Sequence, residues 1–260
     1  MAEQATIRIA AVADVHCSKT SAGTLQPLFA QAAAGADILL LCGDLTDYGL
    51  PEEARILVRE LSAAGRLPTI GVLGNHDFES NKQQEVSDIL CEAGVQMLDG
   101  DACEVRSIGF AGVKGFGGGF GRGALGLWGE ETMKQFVREA INEALKLESA
   151  LARLRTDQRI AVLHYAPIRA TVEGEPPEIF PFLGSSRLEE PIAQYGVSAV
   201  FHGHAHHGHP EGRIRDSIPV YNVSLPLMRQ TFPDRPPLRI LEVPAPAAAT
   251  DEARPHPTLA

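Results

Sequence analysis

Short apolar runs that each end abruptly on Asp, Asn or His constrain this 260-residue chain more than any other feature of it. Residues 7–13 are apolar and β-branched and lead into Asp14-Val-His16, and residues 37–42 carry Ile-Leu-Leu-Leu and lead into Gly43-Asp44-Leu-Thr-Asp47. Residues 69–73 lead into Gly74-Asn75-His76-Asp77, residues 160–163 into His164, and residues 197–201 to a point just before Gly203-His204-Ala-His206. Continuous apolar runs of this length, bounded by turn formers, fit strands buried on both faces of a sheet. Helical stretches separate the first three. Residues 24–34 are alanine-rich, and Pro51 suits a first helical turn with Glu52 and Glu53 at the positive end of the helix dipole before a stop at Gly65. The spacing predicts a further helix over 82–93, closed by Gly94. Strand, helix and strand in alternation give an α/β fold opening on βαβ units.

Beyond this opening the pattern predicts shorter strands at 96–98, 103–106 and 108–113, helices at 130–154 and 186–194, and hairpin-like strands at 219–223 and 238–243. In the long helix Phe136, Ile141, Leu145 and Leu151 are available for one buried face. The glycine-dense stretch 114–123 is expected to be a loop able to approach a ligand closely. Gly121-Arg-Gly123-Ala-Leu-Gly126 matches the G-x-G-x-x-G spacing, but no strand precedes it, so it carries no dinucleotide reading. No internal repeat is visible. A single domain over 1–243 is expected, followed by a disordered Pro- and Ala-rich tail over 244–260.

The net charge of −10 disfavours broad affinity for polyanions, so a small soluble substrate fits better than nucleic acid or an anionic membrane. Cys17, Cys42, Cys91 and Cys103 lack metal-binding spacing and read as reduced, mostly buried thiols of a cytoplasmic protein. The N-terminus lacks the basic and apolar regions of a signal peptide, and no apolar run reaches the roughly 18 residues of a membrane span. Five of the nine histidines lie in the strand-end motifs. Such a concentration of His, Asp and Asn is what borderline-hard divalent ions require. The carboxyl edge of an α/β sheet is also where residues remote in sequence converge on a ligand.

The ordered set Asp-x-His, Gly-Asp-x-x-Asp, Gly-Asn-His-Asp, His and Gly-His-x-His resembles the calcineurin-like metallophosphoesterase superfamily, over residues 7–223. Its pattern is most similar to small bacterial phosphodiesterases of the cyclic-nucleotide type. The resemblance implies a four-layer α/β/β/α sandwich with a dinuclear metal site at the carboxyl ends of the strands. It implies one metal held by Asp14, His16 and His206, another by Asn75, His164 and His204, and Asp44 bridging them. With two carboxylates and one bridging hydroxide, a pair of divalent ions would keep a net charge of about +1 and attract phosphate. Mixed nitrogen and oxygen donors suit Mn, Fe or Zn, in divalent or mixed-valence form.

The activity so implied is hydrolysis of a small organic phosphodiester or phosphomonoester by the bridging hydroxide. His76 would protonate the leaving group, Asp77 would orient His76, and Asp47 would support a metal-bound histidine from behind. Purple acid phosphatases carry a tyrosine ligand where this chain has Asp47, which argues against that subgroup. A nuclease acting on single-stranded or damaged nucleic acid and a non-catalytic metal-binding scaffold are the alternatives. Related enzymes also form homodimers. Substrate contacts are sought among Lys114, Arg122, Trp128, Tyr165 and Arg169, and His202, His207 and His209 flank the last motif.

Overall fold

The computed structural model describes residues 6–245. From residue 246 onward the tail expected in the sequence lies outside the described residues. The elements run β1 (Thr6–Val12), α1 (Gln26–Gly35), β2 (Ile38–Cys42), α2 (Pro51–Leu61), β3 (Thr69–Val72), α3 (Gln83–Glu92) and β4 (Gln96–Met97). They continue with β5 (Asp101–Val105), β6 (Ile108–Val113), α4 (Glu131–Arg153), β7 (Gln158–Leu163), α5 (Phe180–Leu183), α6 (Glu189–Gln194) and β8 (Ala199–His202). The last are β9 (Glu211–Ile214), β10 (Ile218–Asn222), α7 (Leu225–Thr231) and β11 (Arg239–Pro244).

Two sheets result. The first has the order β11-β1-β2-β3-β4, with β1 to β4 parallel and β11 antiparallel to β1. The second has the order β5-β6-β7-β8-β10-β9, with β6, β7, β8 and β10 parallel and one antiparallel strand at each edge.

Alternation along each strand separates three apolar layers. Ile9, Leu40, Cys42, Ile70 and Val72 of the first sheet meet Phe110, Ile160, Val162 and Phe201 of the second in a core between the sheets. The opposite face of the first sheet, Ala10, Val12, Leu39 and Leu41, packs on Phe29, Leu57 and Leu90 of α1, α2 and α3. The outer face of the second, Val113, Ala161, Leu163 and Val200, packs on Leu147 and Leu151 of α4 and Ile192 of α6. Helices, sheet, sheet and helices form the four-layer α/β/β/α sandwich, and continuous apolar runs are what strands covered on both faces require.

Two sequence expectations change. The strands at 219–223 and 238–243, both expected to be hairpin-like, differ: β10 forms a hairpin with β9 and also pairs with β8, whereas β11 closes the other sheet against β1. The second sheet is mostly parallel because α4 and α6 provide the crossovers that parallel pairing needs. On α4 the buried stripe is Val137, Ala140, Glu143, Leu147, Ala150 and Leu151 at helical spacing, and Leu145 falls off it and is exposed. The four cysteines are free thiols. Cys17 and Cys42 are buried, Cys103 is half-buried and Cys91 is exposed. No helix among the described residues is long and apolar enough to cross a membrane.

Candidate metal centre

Every motif read from the sequence stands just past the carboxyl end of a strand: Asp14 after β1, Asp44 after β2, Asn75 after β3, His164 after β7 and His204 after β8. Backbone bonds tie these ends together. The Asp14 amide donates to Gly43 O at 2.9 Å, and the Gly203 amide donates to His164 O at 3.1 Å. Across the sheets, His204 N–H reaches the Asp14 carboxylate at 3.0 Å.

The turns are tight enough to force unusual backbone. Asp14, His16, Asp44 and His204 have φ of 56°, 42°, 48° and 69°, a left-handed conformation that costs a non-glycine residue of order 1–3 kcal/mol. Four strained residues at one place mark it as functional. Two motif glycines answer to crowding. A Cβ at Gly74 would overlap Asp44, and one at Gly203 would overlap the Asp14 carboxylate.

Among the described residues three groups of three side chains could each hold an ion, two built from the expected ligands and a third, sharing His16, from His16, Asp47 and His76. Asp14, His16 and His206 bring one potential ligand atom each within 4.8 Å of one another, and so do Asp44, His164 and His204. Asn75 Oδ1 lies 2.9 Å from His164 Nε2, which attaches it to the second cluster. The Asp44 carboxylate spans both: Oδ1 is 3.3 Å from His164 Nε2, and Oδ2 is 3.8 Å from His16 Nε2.

Tautomers follow from the acceptors behind each ring. Cys42 O is 3.0 Å from His164 Nδ1, and a carbonyl only accepts, so Nδ1 carries a hydrogen and Nε2 faces Asp44 and Asn75. Phe182 O at 3.1 Å fixes the hydrogen of His204 on Nε2 and leaves Nδ1 for the site. Asp47 Oδ1, 3.4 Å from His16 Nδ1, turns His16 Nε2 inward. That Nε2 is buried with no hydrogen-bond partner. An orphaned imidazole nitrogen beside a carboxylate costs free energy unless something binds it, and a divalent cation satisfies both. The donor set therefore fits the metal pair.

Burial and neighbouring charge set the protonation of these side chains. Burial opposes charge on His164, but the Asp44 carboxylate outweighs it and raises the imidazole to about 9. Burial would raise Asp14, yet its hydrogen bond with His206 and the charge of His164 hold it below the usual carboxylate range. Burial likewise opposes ionisation of Asp44, and His164 reverses the effect and lowers it. His206 is raised chiefly by its hydrogen bond to Asp14, 3.2 Å away. Burial and the charge of His164 depress His204 to about 4, so it is neutral at pH 7.

His76 lies beside this set. Its ring centroid is 4.6 Å from that of His16, its side chain is 36% exposed, and Asp47 O accepts from Nδ1 at 2.8 Å. Nε2 is left as the nitrogen able to exchange a proton with a substrate. Asp77, expected to orient His76, makes its hydrogen bonds to other groups. That carboxylate is fully buried and accepts from Leu45 N, Thr46 N, Thr46 Oγ1 and Gly74 N at 3.1, 2.8, 2.6 and 2.8 Å. Asp77 thus binds the Asp44 turn to the Asn75 turn, and the Asp47 carbonyl orients His76.

The other flanking residues divide. His202 is buried, with its ring bonded to Gly203 O and Thr171 Oγ1. The glycine-rich loop approaches protein: Gly115 N–H donates to Glu143, Gly118 N–H to Pro181 O and Gly119 N–H to Gly184 O. Those three amides are therefore committed to protein acceptors. Arg169 pairs with Glu173 at 3.2 Å, while Trp128 and Arg122 are exposed. Two supporting residues went unmarked in the sequence. Asn222 Nδ2 donates to Ala205 O at 2.7 Å, and Glu175 accepts from His207 N–H at 2.7 Å, so both brace the turn carrying His204 and His206. The one signal for Asn222 is an amide closing an apolar strand.

Comparison with solved structures agrees with this architecture. A phosphopantetheinyl hydrolase from Mycobacterium tuberculosis superposes with a TM-score of 0.66 at 14% identity, over 95% of this chain and 98% of that one. The protein TT1561 from Thermus thermophilus gives 0.53 at 16% identity, over 93% and 100%. Purple acid phosphatase PPD1 from yellow lupin seeds gives 0.51 at 13% identity, over 78% and 38%. At these identities the similarity is one of fold. No curated protein sequence matches the chain. The sequence profile described as calcineurin-like phosphoesterase matches residues 7–208, a span that contains both clusters and His76. The chain belongs to the calcineurin-like phosphoesterase family.

Proposed function

We propose that this protein hydrolyses a small organic phosphate ester, monoester or diester, at a two-metal site. Asp14, His16 and His206 hold one ion, Asn75, His164 and His204 hold the other, and Asp44 lies between them. The observation that carries the reading is the Asp44 carboxylate, with one oxygen 3.3 Å from His164 and the other 3.8 Å from the unpartnered His16 Nε2. A metal pair bound there would supply an acidified water and positive charge against the phosphate oxygens.

The chain's own residues do the rest. His204 is neutral before metal enters, and Cys42 O and Phe182 O hold the rings of His164 and His204 in the tautomers that ligation needs. His76, oriented by the Asp47 carbonyl, donates a proton from Nε2 to the departing alkoxide. No side chain of the site needs to act as a nucleophile. A net charge of −10 weighs against a nuclease, and the full donor set weighs against a scaffold that has lost its metals.

The test is elemental analysis of purified protein followed by a panel supplemented with Mn, Fe or Zn. The panel contains aryl mono- and diesters, 2′,3′- and 3′,5′-cyclic nucleotides, nucleoside diphosphate conjugates and single-stranded DNA. Bound metal with turnover of small esters is expected. Protein that takes up no metal and hydrolyses nothing would overturn the enzyme reading, and preference for DNA would replace it with the nuclease.

A further inference from the structure

We propose that Lys114 forms a subsite for an anionic group on the organic part of the substrate, so that the ester hydrolysed carries a second negative charge beyond the reacting phosphate. This deepens the phosphoesterase reading and rests on it.

Lys114 directly follows β6, at the sheet edge that carries the metal-binding turns. Its carbonyl accepts from His164 N–H and Tyr165 N–H, both at 3.0 Å, which fixes it to the site. Its ammonium lies 5.3, 4.8 and 5.2 Å from the ring centroids of Phe78, Phe116 and Tyr165. Two of those rings belong to the site's own turns. Phe78 stands two residues past His76, and the Tyr165 ring is 4.4 Å from that of His204. One aromatic ring therefore separates the ammonium from a residue of the second cluster.

Burial lowers the Lys114 ammonium from its ordinary value, and the charges of Glu143 and Glu139 oppose that shift without pairing with it. Among the described residues, Nζ makes one hydrogen bond, to Gly115 O at 2.9 Å, and no ion pair within 4.0 Å. Glu143, the buried acid of the neighbouring helix, is engaged elsewhere, by Gly115 N–H and Lys146 Nζ at 2.8 Å each. An ammonium has three donors, and faces of aromatic rings compensate its desolvation only in part. The remaining donors call for an anionic acceptor.

There is room for one. A groove of about 370 Å³ runs from Lys114 and Phe78 along Leu73, Gln83, Ser87 and Met97. Asp99 and Asp101 also line it, but they pair with Lys146 at 2.9 Å and Arg153 at 3.5 Å, so Lys114 is the unpaired charge. Gln83 Oε1, at the first residue of α3, is buried without a partner; as an acceptor it would take an N–H or O–H of the organic portion and not its anionic group. The groove takes the organic portion, and the lysine reads its charge.

The experiment measures binding of alkylphosphonates of increasing chain length, each with and without a terminal carboxylate, to the Mn-supplemented protein by calorimetry. At one chain length the carboxylate is expected to raise wild-type affinity roughly tenfold, as a charge-assisted hydrogen bond would. Lys114→Met abolishes that gain and leaves the phosphonates without the terminal carboxylate within about twofold of wild type, and Lys114→Arg keeps part of it. The inference is overturned if no chain length gains from the carboxylate in wild type, or if Lys114→Met weakens both series alike. Binding needs no turnover. A carboxylate gain in a protein inactive on every ester would therefore sink the proposed reaction and keep the subsite, and hydrolysis without the gain would do the reverse.

Discussion

At the scale of single residues, His76 and Asp77 are adjacent in sequence and separate in work. Asp77 accepts four hydrogen bonds from the turns around Asp44 and Gly74, in a site from which water is excluded. Asp77→Asn replaces one accepting oxygen by an NH₂ group that must face N–H donors. It should cost about 2–3 kcal/mol in urea denaturation and weaken Mn binding, because the turn it holds carries Asp44. Unchanged stability with a selective loss of rate would restore the role of orienting His76. His76→Ala has the opposite signature: metal content and melting temperature stay, and hydrolysis of esters with poor leaving groups falls about 100-fold or more. Aryl esters, whose leaving groups need no proton, should suffer least, and equal losses on both would remove the acid role. Residue types at strand ends made Asp14, His16, Asp44, Asn75, His164, His204 and His206 readable as one set. Which way a carboxylate turns was not readable. Asp77 adjoins His76 in sequence and Asp47 stands 29 residues before it, and only backbone geometry decides that the Asp47 carbonyl meets the ring.

At the scale of elements, the buried parallel strands were plain in sequence because covering both faces leaves an unbroken apolar run. β9 was missed because its four residues, Glu-Gly-Arg-Ile, show neither a run nor alternation, and it forms by pairing with β10. α7 was missed too, with Ser224 at its N-cap and Pro226 in its first turn as its local signals. Helix α1 shows long-range capping. Its first turn has no local side-chain cap, yet Glu60 at the far end of α2 accepts from Gly23, Leu25 and Gln26 N–H at 2.7, 2.8 and 3.1 Å. A carboxylate at a helix start satisfies otherwise unpaired amides and opposes the dipole. Glu60→Ala should therefore lower stability by about 1–2 kcal/mol, with kcat and metal content unchanged. A matching loss of metal would mean that the helical layer is coupled to the site, contrary to this account.

At the scale of the whole molecule, the two sheets converge their carboxyl ends on one set of ligands, so stability and metal loading are linked through protons. In metal-free protein His164 sits near 9, above its ordinary 6.5, and His206 is raised as well. A histidine with a raised folded pKa contributes stability that is complete below its unfolded pKa and fades as pH rises through the folded one. The metal-free protein should thus lose stability from about pH 6.5 to about 9. His204, depressed to about 4, acts in the other sense, but its effect falls between pH 4 and 6.5, below this window. Metal reverses the dependence, because a ligating imidazole must give up its proton and affinity rises with pH. Melting temperatures with EDTA should fall across this window, while the increment added by Mn should grow, reaching about 4 kcal/mol at thousandfold excess over Kd. His164→Gln should flatten both curves. Parallel curves with and without Mn would show that the ion binds somewhere other than these histidines.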